Sequence, residues 1–160
     1  WETAECVFRQ AVPPYSFPEA IHPRSGGGAM GDGHHGWAAA EIALFLRDCL
    51  IDDNGTSLAV FRGAGTRLMQ LGRAISFQRV PTRFGPVSAS LTYTDARRAI
   101  LEIDCVFKHN TVPVCIDVHL SFCIQRAVPV SEAHVVDVFN EQDVSLLRLK
   151  PESGTFLLDF

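Results

Sequence analysis

The sequence predicts an α+β fold, a helical first third followed by an antiparallel β-sandwich, and two observations carry that prediction. In the stretches Val87 to Tyr93, Leu101 to Phe107 and Val114 to Cys123 apolar residues recur at every second position, the period of a strand with one buried face. From His34 to Leu50 apolar residues instead cover most of a helical circumference. The two patterns meet at the turn-forming cluster Asp52-Asp53-Asn54-Gly55, which sets the expected division into residues 1–54 and residues 55–160.

The first segment opens with a short helix over Glu2 to Gln10 and continues into a Pro- and Gly-rich loop. The strong helix follows, with Asp32-Gly33 offering a carboxylate to its free N–H groups. Its polar strip is thin: Glu41, Asp48 and Asp52 fall near one face, while Trp37, Ile42, Leu44, Phe45 and Leu46 cover much of the rest. A helix apolar over so much of its surface expects neighbours on several sides. The chain begins at Trp1 without a basic n-region and apolar signal core, so it reads as the end of a longer parent chain that supplies those helices.

The strands of the second segment follow in order as Ser57 to Arg62, Arg73 to Arg79, Val87 to Tyr93, Leu101 to Phe107, Val114 to Cys123, His134 to Val138, Val144 to Leu149 and Thr155 to Phe160. About eight strands separated by turn-forming residues point to a sandwich. Phe84-Gly85-Pro86 reads as a turn between antiparallel strands, and most Phe and Tyr side chains take the inward phase of their strands.

Composition narrows the function classes. At 160 residues and 47% hydrophobic content the chain can bury a core, and its net charge of -4, from 14 basic and 18 acidic residues interspersed, excludes nucleic acid as the expected partner. No run approaches the ~20 apolar residues a membrane span requires, so no membrane partner is expected. Five cysteines without a CxxC pair, most within apolar runs, suit a reduced, cytosolic-type environment. Gly26-Gly27-Gly28 lacks the spacing of a phosphate loop and instead lets backbone pass close to a ligand or a barrel rim, so no cofactor is expected.

The loop Pro18-Glu19-Ala20-Ile21-His22-Pro23-Arg24-Ser25 with its three glycines, the run Gly31-Asp32-Gly33-His34-His35-Gly36-Trp37, and Val80-Pro81-Thr82-Arg83-Phe84-Gly85-Pro86-Val87 in a strand-rich tail together resemble the C-terminal end of (α/α)6-barrel glycoside hydrolases. The relatives in view are the glucoamylase-like enzymes, trehalases and α-L-rhamnosidases. The resemblance implies a terminal helical segment of an (α/α)6 toroid followed by an antiparallel β-sandwich, with carbohydrate and the upstream helical barrel of the same parent chain as partners. It also implies that Glu19 is the general base of an inverting hydrolase. Ala20 and Ile21 depart from the pattern of the better-known branches, which carry polar-tipped side chains there.

Inverting hydrolysis needs two carboxyls roughly 6.5 to 9.5 Å apart, one protonated and one ionised to activate water. Glu19 supplies one, the general acid is expected upstream, and the competing reading makes Glu19 a solvated loop carboxylate. His22, Arg24, Asp32, His34 and His35 are directional donors or acceptors suited to sugar hydroxyls, or else they pin the loop, with Arg24 paired to a carboxylate and Asp32 holding the helix start. Trp37 either stacks on a pyranose ring or packs as core, the commoner fate of a tryptophan opening a buried helix. No metal is expected: adjacent His34 and His35 diverge by about 100° on a helix, and the i, i+4 spacing of zinc enzymes is missing.

The residues thus lead to two expectations of different class. One is a glycoside hydrolase-like C-terminal portion, inactive alone. The other is a non-catalytic β-sandwich that braces a barrel or binds glycans. A third, a degenerate barrel terminus, keeps the shape without the chemistry.

Overall fold

The computed structural model describes residues 2–13, 15–30, 33–70 and 72–160. Its elements run α1 (Glu2–Phe8), β1 (Ala20–Ile21), β2 (Gly28–Met30), α2 (Gly36–Leu50), β3 (Ile51–Asp52), β4 (Leu58–Val60), α3 (Gly65–Leu68), β5 (Ile75–Pro81), β6 (Pro86–Asp95), β7 (Arg98–Cys105), β8 (Ile116–Leu120), β9 (Arg126–Pro129), β10 (Val135–Glu141), β11 (Val144–Leu149) and β12 (Gly154–Asp159). Two compact units result, residues 1–46 and residues 47–160, and the last turn of α2 belongs to the second. The chain is mixed α+β with mostly antiparallel sheets. Three helices occur among the described residues, one of them a single turn, and they build no toroid by themselves.

In the first unit, α1 and the two-stranded β1–β2 hairpin accompany most of α2. Cys49 is the one buried residue among the described positions of α2, whose Trp37, Leu44, Phe45 and Leu46 are 56, 52, 40 and 37% exposed. The excess of apolar surface read from the sequence is therefore present as an open helix side.

In the second unit, two five-stranded sheets, ordered β10-β11-β8-β4-β3 and β5-β6-β7-β12-β9, contribute to one hydrophobic core. Alternation explains the membership. Val87, Ala89 and Leu91 of β6, Leu101 and Ile103 of β7, and Phe156 and Leu158 of β12 join Ile116, Val118 and Leu120 of β8 and Leu147 and Leu149 of β11. Every anticipated strand is present, and β3 and the edge strand β9 are additions.

Two details differ from the alternation read in the sequence. The β4–β8 pairing is parallel, whereas the other pairings are antiparallel. Val114 is 74% exposed while Cys115 and Ile116 are both buried, which breaks the phase before β8 begins. Backbone bonding is the cause: Val114 N donates to Thr56 O at 2.9 Å and Leu58 N to Cys115 O at 3.0 Å, so this segment pairs with the approach to β4 before the regular ladder starts.

The expected turn after β5 holds. Thr82 Oγ1 accepts from the amides of Phe84 and Gly85 at 3.1 and 3.2 Å, and Phe84 is buried. Gly85 has φ 140°, and a Cβ there would collide with the Val106 carbonyl oxygen. Tyr93 packs with Phe122 and Phe160 at ring-centroid distances of 5.8 and 5.6 Å. Burial pushes its pKa up to about 12, and its hydroxyl has no hydrogen-bond partner among the described residues.

That unfilled hydroxyl makes Tyr93→Phe a test of the packing. Because a buried unsatisfied group costs about 1–3 kcal/mol, urea unfolding is expected to show stability unchanged or raised, and a clear loss would reveal a partner for the hydroxyl. Acid behaviour follows from three carboxylates. Arg148, bonded to Asp117 at 2.7 and 3.0 Å, holds the Asp117 carboxyl below its ordinary value, and the Asn54 amide followed by Arg62 does the same for Asp52. Burial pushes Asp53 up, but Arg47 and the Arg83 amide outweigh it and leave Asp53 lowered as well. Depressed carboxyls stabilise the fold above their unfolded pKa of about 4, and that contribution is lost as pH falls through the folded values. Thermal midpoints measured along a pH series should therefore fall on acidification below about pH 4, and Asp117→Asn should blunt the fall.

Candidate functional site

The loop carrying Glu19 is closed by its own backbone. Glu19 N donates to Met30 O at 2.9 Å just before β1, His22 N to Gly27 O at 2.8 Å, and Gly26 N to His22 O at 2.9 Å. Gly26, at φ 68°, takes the left-handed conformation that this tight return demands. Gln10 Nε2 fastens the loop tip by donating to Gly26 O at 2.6 Å. At Gly28 a Cβ would lie 3.1 Å from Pro18 Cβ, a close approach within the loop itself.

The start of α2 supplies the other side. His35 N donates to Phe17 O at 2.9 Å, and its carbonyl accepts from Ala39 N at 3.1 Å, which makes His35 the residue at the helix threshold. From there its ring reaches back: His35 Nε2 lies 3.4 Å from Glu19 Oε2, with the two side chains 27 and 34% accessible. The ring meets Trp37 edge-on, centroids 5.4 Å apart at 87°. His35 Nδ1 is buried without a partner among the described residues. The contact with Glu19 is an ion-pair approach through Nε2, and the buried Nδ1 on the other side of the ring stays unfilled.

Glu19, His35 and Trp37 thus form one cluster. Trp37, expected from its position to pack as core, is instead exposed. Among the described residues the helix lacks covering neighbours on that side, so the ring stays open beside His35. The other candidates go elsewhere. His34 Nδ1 is 2.8 Å from Ser16 Oγ, and His22 Nδ1 accepts from the amides of Arg24 and Ser25, each at 3.3 Å, so His22 pins its own loop. Arg24 is exposed, and the carboxylate partner expected for it does not occur among the described residues. Asp32 lies outside the described residues.

Chemically, the cluster offers a partly accessible carboxylate with one oxygen near an imidazole, and an exposed aromatic ring against that imidazole. Sequence reasoning singled out all three residues but not their contact, since nothing in the spacing of Glu19 and His35 signals it. No group of three or more His, Cys, Asp or Glu side chains converges on a metal-sized site among the described residues. No helix among them is long and apolar enough to cross a membrane.

Behind the loop, Phe8, Tyr15, Phe17, Ile42 and Leu46 line an apolar groove of about 430 Å³. Together with the open side of α2 it forms contiguous apolar surface of the kind that drives association. Sedimentation of the chain should show concentration-dependent self-association, and the double substitution Leu44→Gln with Phe45→Gln should shift it toward monomer. An unchanged distribution would count against the open helix side as the sticky surface. Comparison of the chain with protein-family models, with curated proteins and with solved structures finds no match.

Proposed function

We propose that the chain is the C-terminal portion of a glycoside hydrolase-like protein acting on glycosidic bonds, in which Glu19 is the general base and His35 its positioning residue. The observation that carries the reading is the contact of His35 Nε2 with Glu19 Oε2 at 3.4 Å beside the exposed Trp37 ring. An ionised Glu19, one oxygen occupied by the imidazole, directs the other toward water. The water gives its proton to Glu19 while its oxygen bonds to the anomeric carbon. The glycosidic C–O bond breaks as a general acid from the upstream barrel protonates the leaving oxygen. Trp37 provides an apolar ring on which a pyranose face stacks.

The open side of α2 supports the second half of the reading, in which helices of the same parent chain complete the sugar pocket. The chain by itself is then inactive, because one carboxyl cannot supply both the acid and the base.

Turnover of the full-length protein on a panel of oligosaccharides tests this with Glu19→Gln, which keeps the shape and removes the charge. The expected loss is about 10²–10⁴-fold in kcat with KM retained, whereas Trp37→Ala should chiefly raise KM. Equal turnover in wild type and Glu19→Gln would reduce Glu19 to a loop residue. A full-length protein inactive on every sugar would overturn the hydrolase assignment.

A further inference from the structure

A second constellation lies wholly within the sandwich. Register places Phe139 of β10 opposite Leu146 of β11, and Leu146 opposite His119 of β8, so these three side chains form one row across the sheet. The neighbours of that row on each strand, Val138, Leu147 and Val118, pair in the same way and take the opposite, inward phase. Phe139 is consequently 45% exposed, an outward aromatic just past the strand expected over His134 to Val138. The Arg148 guanidinium sits 5.5 Å from its ring centroid and is itself bonded to Asp117, which braces the ring from one side.

The row borders a concavity of about 350 Å³ closed by the Phe61–Arg62 corner and by Glu141, at the lower end of the range of small-molecule sites. Phe61 is a buried aromatic held at φ 61°, a conformation bulky residues rarely adopt, and this turn is what brings Arg62 to the rim. Arg62 donates to Asp52 at 2.8 Å, so its charge is compensated while much of its side chain stays exposed. His119 has no hydrogen-bond partner for its ring nitrogens among the described residues. Burial, then the Arg62 charge, lowers its pKa against the opposing pull of Asp117 and Asp52, so the ring is neutral near pH 7.

The chemistry of the ligand follows from these groups. A neutral imidazole presents one donor and one acceptor, which matches hydroxyls rather than a charged group. Arg62 and Glu141 add further donor and acceptor capacity at the rim, and with Arg62 and Arg148 each bonded to a carboxylate there is no surplus positive charge to select an anion. The exposed Phe139 face asks for a flat, weakly polar ring surface. A ring that is apolar on its face and hydroxylated around its edge satisfies all three. We propose that this concavity binds a hexopyranose unit of a neutral oligosaccharide, stacked on Phe139 and hydrogen-bonded to His119. The proposal stands independently of the role assigned to Glu19.

The test is amide chemical-shift mapping of the isotope-labelled chain titrated with maltohexaose, cellohexaose or mannohexaose, each to about 10 mM, tenfold above a Kd of ~1 mM. The expected result is saturable shifts at Phe61–Arg62, His119–Ser121 and Phe139–Val144 with at least one sugar, weakened about tenfold by His119→Ala and by Phe139→Ala. Phe139→Tyr, which keeps the ring, should retain the affinity and so separates stacking from misfolding. Shifts with none of the sugars would overturn the proposal. Shifts confined to Glu19–Trp37 would overturn it while leaving the proposed function standing.

Discussion

The Asp53 carboxylate is the knot on which the second unit depends. Its side chain is 13% accessible, and it receives Arg47 Nη2 at 2.7 Å and the Arg83 amide at 2.6 Å. Arg47 lies in the last turn of α2 and Arg83 sits in the turn between β5 and β6, so one side chain ties the end of the helix to a hairpin far along the sequence. Arg47 adds a bond to the Pro81 carbonyl at 3.2 Å. Removing Asp53 would strand a partly buried guanidinium and an amide together, a loss larger than that of an exposed ion pair. The same corner is tight in its backbone: Gly63 N donates to Cys49 O, and a Cβ at Gly63 would fall 2.7 Å from Cys49 Cα. Only glycine permits that approach.

The two units divide their chemistry by the same physical rule. In each, backbone hydrogen bonds close a turn and so aim a few polar side chains past an aromatic ring that the local fold leaves uncovered. In the first unit the bonds Glu19 N to Met30 O and His35 N to Phe17 O bring a carboxylate and an imidazole to Trp37. In the second, the strand register brings His119 into line with Phe139. Flat apolar rings beside hydrogen-bonding groups suit the two-sided character of a sugar, which is why both readings converge on carbohydrate.

The mostly antiparallel, sandwich-like sheets were legible in the sequence because one buried face imposes period two on the chain. Val87, Ala89, Leu91, Leu101, Ile103, Ile116, Val118 and Leu120 could be assigned inward from pattern alone, and each is buried. The period failed at Val114 and Cys115, where backbone pairing with the residues before β4 overrides alternation. It also failed to reveal β9, a short strand that exists through its ladder with β12 and shows little pattern of its own. The strong helix was equally plain, as was its surplus of apolar surface, because helical periodicity is local.

Sequence by itself therefore determined the main helix, the eight anticipated strands, the sandwich-like core and the residue chemistry available in the loop, since each depends on neighbours close along the chain. Tertiary structure alone decided which of those residues meet. It set His34 on Ser16, joined His35 to Glu19 and turned Trp37 and Phe139 outward. These outcomes rest on hydrogen bonds and registers between segments distant in sequence, whose partners no local spacing encodes. The same holds for Asp53, which reads as one acid in a turn until Arg47 and Arg83 arrive on either side of it.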